Sequence, residues 1–255
     1  MVTYSVGGTA QSAQIRDIHY WFEAVGSDED ISETCAAIDD DILAWWERLS
    51  SWLDTYTGLN LLGHGNQETR FLGRQYLAST RHEDGTVRPV NSPGKAVMPW
   101  PKLIQVPDSS DLARCFELAG AGAVLPPEWQ YLRDAESWLH GGQHRRAVID
   151  ACTAAEIALA NQAHLLMAGT DATVIEELLT RCTGVADVAK LVRTMGGRDA
   201  TASRNSIENK LARIRNLAAH AGHEPNRVDA RTAVEVAIDV VQHARPREGL
   251  YQQAL

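Results

Sequence analysis

The chain has 255 residues, of which 44% are hydrophobic and 22% are charged, with a formal net charge of −9. This length can bury a hydrophobic core, and the acidic balance argues against a protein that simply coats nucleic acid. No long apolar run and no signal-like N-terminus is visible, so we expect no membrane association and a cytoplasmic protein. The four scattered cysteines lie in apolar contexts, which predicts buried, reduced thiols.

The first 125 residues give mixed signals. The segments TYSVGG and IRDIHYWFEAV alternate enough to favour strands, whereas residues 27–58 favour one long helix with a tryptophan-rich apolar face. Residues 80–110 are broken up by Gly and Pro, which predicts loops and one short hairpin. We therefore expect residues 1–125 to form a smaller mixed α+β domain.

The composition changes near residue 125 to Ala-rich segments with helical periodicity and few aromatic residues. Short loops between such helices are typical of an antiparallel bundle, so we predict a mainly α protein with a helical bundle over residues 126–255. The predicted helices cover about 128–140, 143–167, 172–182, 185–195, 206–220 and 228–244.

The sequence RNLAAH, from Arg215 to His220, interrupts an otherwise ordinary Ala/Leu/Ile helix with polar groups. Lys210, Arg213, Asn216 and His220 follow one stripe at steps of three and four residues. Arg215 and His220 are five residues apart, which is about 140° around an ideal helix. The two side chains can meet at one phosphate only if the helix end is distorted or a second copy contributes.

The charge is unevenly placed along the chain. Residues 1–60 carry eleven acids and two bases, a balance of −9, so the remaining residues are neutral as a whole. The segment from Arg204 to Arg215 contains four basic residues and one acidic residue, Glu208. This excess of positive charge indicates either a phosphate-binding patch or a solvated helix face. The candidate substrate-binding residues are Lys210, Arg213, Arg204 and His223.

The pattern Arg215-Asn216-x3-His220 resembles the signature of HEPN domains, which are helical bundles found in prokaryotic toxins and anti-phage systems. The segment RRAVIDACTAAEIAL resembles the early HEPN helix, which often carries an embedded glutamate. The resemblance covers roughly residues 126–245.

The resemblance implies a metal-independent endoribonuclease that acts on RNA as a homodimer, without a cofactor. His220 would transfer protons, Arg215 would stabilise charge on the phosphate and Asn216 would position groups. A toxin or anti-phage effector of this kind implies an antitoxin or a partner defence protein.

Glu156 lies on the apolar stripe of the early helix, where an unpaired carboxylate is costly. It either pairs with an arginine such as Arg215 and holds it in place, or sits at the solvent edge of the helix.

Other interpretations remain open. Arg215 can form a structural ion pair while His220 merely stabilises the C-terminus of its helix. The bundle can bind RNA or protein without catalysis. Gly26-Ser27 with Asp39 to Asp41 is similar to a nucleotidyltransferase pattern, although those aspartates fall in a predicted helix.

Overall fold

The computed structural model describes residues 2–4, 10–13, 28–57, 78–81, 86–90, 109–196, 202–220 and 222–250. Two antiparallel hairpins lie in the N-terminal part. Strand β1 (Val2–Tyr4) pairs with β2 (Ala10–Ala13), and β3 (Ala78–Arg81) pairs with β4 (Val87–Val90). The second hairpin confirms the one predicted in the Gly- and Pro-rich segment. The strand predicted at IRDIHYWFEAV lies outside the described residues.

The long helix predicted near the N-terminus is confirmed as α1 (Asp28–Thr57). It includes Asp39 to Asp41, which are therefore helical and not on a strand as a nucleotidyltransferase would require. A further helix, α2 (Ser109–Gly120), was not expected from the sequence. Its Cys115 and Leu118 are three residues apart and fully buried, so this helix packs on the core through a short apolar stripe.

The six helices predicted after residue 125 are all confirmed, and each observed end lies within two residues of the predicted one. They are α3 (Pro127–His140), α4 (His144–Leu166), α5 (Ala172–Thr180), α6 (Val185–Thr194), a helical run over residues 204–220, and α9 (Arg227–Ala244). Pro127 occupies the first turn of α3, where its missing N–H costs nothing. Among the described residues, no helix is both long and apolar enough to cross a membrane.

Helix α4 is the centre of the bundle and packs against α3, α6 and α9. Its buried face consists mostly of alanine, so neighbouring helices can approach closely on several sides. The small buried residues of this face are Ala147, Ala151, Ala154, Ala155 and Ala158. The predicted burial of cysteines is confirmed for Cys152 on this helix and for Cys115, whereas Cys182 is only half-buried.

The helical run over residues 204–220 is less regular than predicted. It begins with the short α7 (Arg204–Ser206), continues as a π-helical segment (Ile207–Ala212) and ends as α8 (Arg213–His220). π-Helical turns are rare and concentrate at functional sites. In this chain the wider turn comes directly before the RNLAAH motif.

One hydrophobic core extends across the predicted division at residue 125. Trp52 of α1 is fully buried, and its indole Nε1 donates a hydrogen bond to the carbonyl of Ala123 over 3.0 Å. The tryptophans of α1 were predicted to be core residues; Trp52 confirms this, and Trp45 and Trp46 are partly buried against the same core. The C-terminal half of α1 therefore packs with the bundle.

A buried ion pair fixes the end of α9 to the start of α3. Glu128 is completely buried, and its Oε1 accepts a hydrogen bond from Nη1 of Arg245 at 2.6 Å. The indole of Trp129 donates to the carbonyl of Arg245 over 3.2 Å. Arg247 lies over the Trp129 ring and donates to the carbonyl of Tyr56. The chain after α9 thus holds α1 and α3 together.

We predict that Arg245→Met lowers the free energy of unfolding by about 2–4 kcal/mol, because it leaves the Glu128 carboxylate buried without its partner. The matched control is Arg231→Met, which removes only an exposed ion pair with Glu235 and should cost less than about 1 kcal/mol. Urea unfolding followed by circular dichroism measures both values. Equal losses in the two variants would contradict the structural role of the buried pair.

Candidate functional site

The orientation of α8 is set by its buried residues. Ala218 is fully buried and Ile214 is 9% exposed, and both lie on the side of α8 that packs on the bundle, as does the buried Leu211 of the π-helical segment just before it. The polar residues between them must therefore point away from the core. Asn216 and His220 are exposed, and Arg215 is half-buried.

The three residues of the predicted motif border one open cavity of about 580 Å³, called here the α8 cavity. Arg215, Asn216 and His220 all contribute to its wall. A single subunit thus brings the arginine and the histidine to the same cavity, despite their angular separation on the helix. The cavity is wide and His220 is the last residue of α8, so the two side chains need not share a helix face.

The charges around the α8 cavity favour an anionic ligand. Arg213 and Arg215 both border it. The one acidic wall residue, Glu208, forms an ion pair with Arg204, with 2.6 Å between Nε of Arg204 and Oε1 of Glu208. The acid is thereby balanced by a cation outside the cavity, and two guanidinium groups remain to face the ligand. Guanidinium groups bind phosphate oxygens through paired N–H donors.

Arg215 and Asn216 are joined directly. Nη1 of Arg215 donates a hydrogen bond to Oδ1 of Asn216 over 3.1 Å. The bond uses one lone pair of the Asn216 amide oxygen and turns that oxygen towards the guanidinium group, so the amide N–H groups of Asn216 remain available as donors. It also restrains the guanidinium group, whose remaining N–H groups can donate to a ligand.

A smaller cavity of about 130 Å³, called here the α6 cavity, adjoins the first one. It lies between α4 and the N-terminal end of α6, and Arg215 and Asn216 contribute to both cavities. Cys152 and Glu156 of α4 line its inner side. Thr183 and Ala186 also border both cavities, although nothing in their sequence context predicts this.

Glu156 lies in the wall of the α6 cavity and is half-buried, which is intermediate between the two predicted positions. Its Oε1 stands 3.5 Å from the point where a Cβ on Gly184 would lie. Within the described part of the chain, Glu156 forms no ion pair within 4.0 Å, so the predicted pairing with Arg215 is not formed. The two side chains share a cavity without touching.

The Cys152 thiol lies beneath this pair. Burial and, to a smaller extent, the Glu156 carboxylate raise the pKa of Cys152, the Arg215 guanidinium lowers it, and together they raise the pKa to about 12. The thiol is therefore protonated and neutral at physiological pH. It contributes packing and not a nucleophile to the site.

The other candidate substrate-binding residues lie outside both cavities, with Arg213 as the exception. Arg204 is engaged with Glu208, and Lys210 is exposed on the π-helical segment. His223 is exposed beyond the end of α8, where its backbone N–H donates to the carbonyl of Leu217. Contacts of these three residues with a long ligand stay a prediction.

We predict that Cys152 resists alkylation by iodoacetamide in the native protein at about pH 8, because only about one thiol in ten thousand is ionised when the pKa is about 12. In urea the same residue should react readily. Peptide mass spectrometry after timed quenching measures both rates. Equal rates in the native and the unfolded protein would show that the thiol is not protected as described.

Among the residues that the structure describes, no group of three or more His, Cys, Asp or Glu side chains converges as metal ligands would. The candidate site therefore consists of the two adjoining cavities and the polar residues of α4 and α8 that border them. Comparison of the chain with profiles of known protein families, with curated proteins and with solved structures gives no match.

Proposed function

We propose that the protein is a metal-independent endoribonuclease of the HEPN type. The observation that carries the proposal is the convergence of Arg215, Asn216 and His220 on one solvent-open cavity. Structural residues would be expected to pair with neighbours or to pack inside the bundle. Here the histidine is exposed, and among the described residues the guanidinium group of Arg215 forms a hydrogen bond only with another member of the same motif, Asn216.

The substrate class follows from charge and from chemistry. Arg213 and Arg215 suit a phosphodiester, although the protein as a whole is acidic. RNA carries its own nucleophile, the 2′-hydroxyl, beside every phosphate. A site that supplies only proton transfer and a cation is therefore sufficient to cleave RNA but not DNA.

In the proposed reaction the 2′-oxygen forms a bond to phosphorus as the bond from phosphorus to the 5′-oxygen breaks. A neutral imidazole of His220 takes the proton from the 2′-hydroxyl, and a protonated imidazole supplies a proton to the leaving 5′-oxygen. The products are a 2′,3′-cyclic phosphate and a free 5′-hydroxyl. No atom or electron is required from a cofactor.

Arg215 would stabilise the additional negative charge that develops on the phosphate oxygens in the transition state. Its hydrogen bond to Asn216 restrains the guanidinium group, which reduces the entropy lost when the phosphate binds. The N–H groups of Asn216 can then contact a non-bridging phosphate oxygen. This assigns Asn216 to positioning and Arg215 to charge stabilisation.

We propose that the active species is a homodimer because one imidazole cannot be both neutral and protonated in the same step. Two copies of His220 across a twofold axis would provide a base and an acid. Leu217 supports this arrangement, since it borders the cavity and is 40% exposed in the single chain. Apolar surface beside a polar site is common where subunits meet.

The biological setting is proposed from the same reaction. A nuclease that cuts RNA without a cofactor needs restraint in the cell, so we propose a toxin or an anti-phage effector controlled by an antitoxin or a partner defence protein. Residues 1–125 would form the smaller mixed α+β domain and provide that regulation. Among the described residues of this region, two hairpins and two helices supply secondary structure for such a domain, and the C-terminal half of α1 joins it to the core of the bundle.

We predict that the protein cleaves single-stranded RNA in excess EDTA and that His220→Ala lowers the rate by about 10²–10⁴-fold through loss of proton transfer. Arg215→Lys keeps the charge but loses the paired donors, so the rate should fall by about 10- to 100-fold. Gel analysis with identification of 2′,3′-cyclic phosphate ends measures both effects.

The matched control for this experiment is His164→Ala. His164 lies on α4 outside both cavities and faces Glu176 at 3.7 Å on the surface. Its loss should leave cleavage unchanged. Unaltered cleavage by His220→Ala would contradict the proposal, and RNA binding without any cleavage would favour the non-catalytic binding module.

We predict a solution mass of about twice the 27.9 kDa of one chain, measured by light scattering. Wild-type protein mixed and allowed to exchange subunits with an excess of His220→Ala should lose activity per wild-type subunit, because most wild-type subunits would then be in heterodimers that carry a single His220 imidazole. Constant activity per wild-type subunit at every mixing ratio would contradict a shared active site.

A further inference from the structure

The proposed reaction uses the α8 cavity and leaves the α6 cavity without a role. The α6 cavity holds about 130 Å³, which is smaller than the several hundred Å³ typical of sites for complete small molecules. It opens beside the α8 cavity, and Arg215 and Asn216 stand between the two. A ligand that extends from one cavity into the other would pass these two side chains.

The polar groups of the α6 cavity differ from those of the α8 cavity. Its acidic wall residues are Glu156 and Asp187, and Asp187 is already occupied because it accepts hydrogen bonds from the hydroxyl and the backbone N–H of Thr183. Glu156 accepts no hydrogen bond from any residue in the described ranges. The α6 cavity therefore offers one unused carboxylate to a ligand that can donate.

The first turn of α6 also borders the same cavity. The first turn of a helix has N–H groups without intrahelical partners, and α6 begins at Val185, after the N-cap residue Gly184, whose position provides no side-chain hydrogen bond to the first turn. Val185 and Ala186 of this first turn border the cavity. A ligand with one acceptor next to two donors would match both the first turn of α6 and Glu156.

We propose that the α6 cavity binds a guanine base and that Glu156 determines this specificity, an inference that rests on the proposed ribonuclease function. The Watson–Crick edge of guanine presents the O6 acceptor beside the N1–H and N2–H donors. The carboxylate of Glu156 accepts from both donors, and a backbone N–H of α6 donates to O6. Adenine, cytosine and uracil each lack this combination of one acceptor and two adjacent donors.

The arrangement of the two cavities places the rest of the nucleotide. With guanine in the α6 cavity, its ribose and 3′-phosphate would extend past Arg215 and Asn216 into the α8 cavity, where Arg213 and His220 also lie. The acidic cavity thus receives the N–H donors of the base, and the basic cavity receives the phosphate. Cleavage is expected on the 3′ side of guanosine.

The first test measures binding without cleavage. Isothermal titration of His220→Ala protein compares guanosine, inosine and adenosine 3′-monophosphates; inosine lacks only the N2 amino group. Guanosine should bind about tenfold or more tightly than inosine, because one hydrogen bond to a charged group is lost. Adding Glu156→Gln should abolish this difference, and it should favour adenosine because the amide provides one donor and one acceptor.

The second test measures cleavage of oligonucleotides that contain one G, inosine or A in a uridine background. The wild type should cut after G, and Glu156→Gln should reduce the G-to-inosine rate ratio to near one. The matched control is Glu177→Gln, which changes an exposed carboxylate on α5 that pairs with Arg181 at 2.8 Å. It should keep the wild-type ratio. Thermal unfolding of each variant checks that the fold is intact.

The outcomes separate this inference from the proposed function. Cleavage by the wild type without preference for G, or an equal fall on all three substrates in Glu156→Gln, would overturn the guanine site and assign Glu156 to positioning Arg215. Absence of cleavage by the wild type would contradict the ribonuclease proposal, and the titration then decides the guanine site by itself. Equal affinities for guanosine and inosine monophosphates would refute it.

Discussion

The packing of α8 against the bundle is the constraint on which the candidate site depends. Ile214 and Ala218 of α8 are buried, together with Leu211 of the π-helical segment before it, so α8 has one orientation in which its apolar side is removed from water. That orientation fixes Arg215 and Asn216 at the surface beside α6. The alanine face of α4 allows this close packing, and α4 also carries Glu156 into the same region.

Two adjoining cavities of opposite charge follow from this packing. The α8 cavity is bordered by guanidinium groups and an exposed imidazole, whereas the α6 cavity contains a carboxylate without a hydrogen-bond partner in the described chain. Arg215 stands at the boundary and influences both sides, as its effect on the pKa of Cys152 illustrates. A nucleotide has the same division, with its charge on the phosphate and its N–H donors on the base. The proposed activity and the proposed specificity thus depend on one junction of three helices.

The sequence predicts the bundle well because helical periodicity and end signals are local. The bounds of α3, α4 and α9 are obtained to within about two residues from apolar spacing, Gly and Pro. Helix α2 was missed because its apolar stripe is short and follows a segment dominated by loop residues. The π-helical segment before α8 was also missed, since Ile207, Leu211 and Ile214 follow the apolar spacing of an ordinary α-helix. Arg215, Asn216 and His220 were found from spacing, but the contribution of Thr183 and Ala186 to the cavities depends on contacts distant in sequence.

A structure of the protein bound to an RNA strand with a 2′-deoxy substitution at the cleaved nucleotide tests the central claim most directly, because removal of the nucleophile leaves binding intact and prevents the reaction. The account predicts that the scissile phosphate lies within hydrogen-bonding distance of the Arg215 guanidinium, with His220 imidazoles on both sides of it across a twofold axis. A strand bound on another face of the bundle, with His220 facing solvent alone, would contradict it.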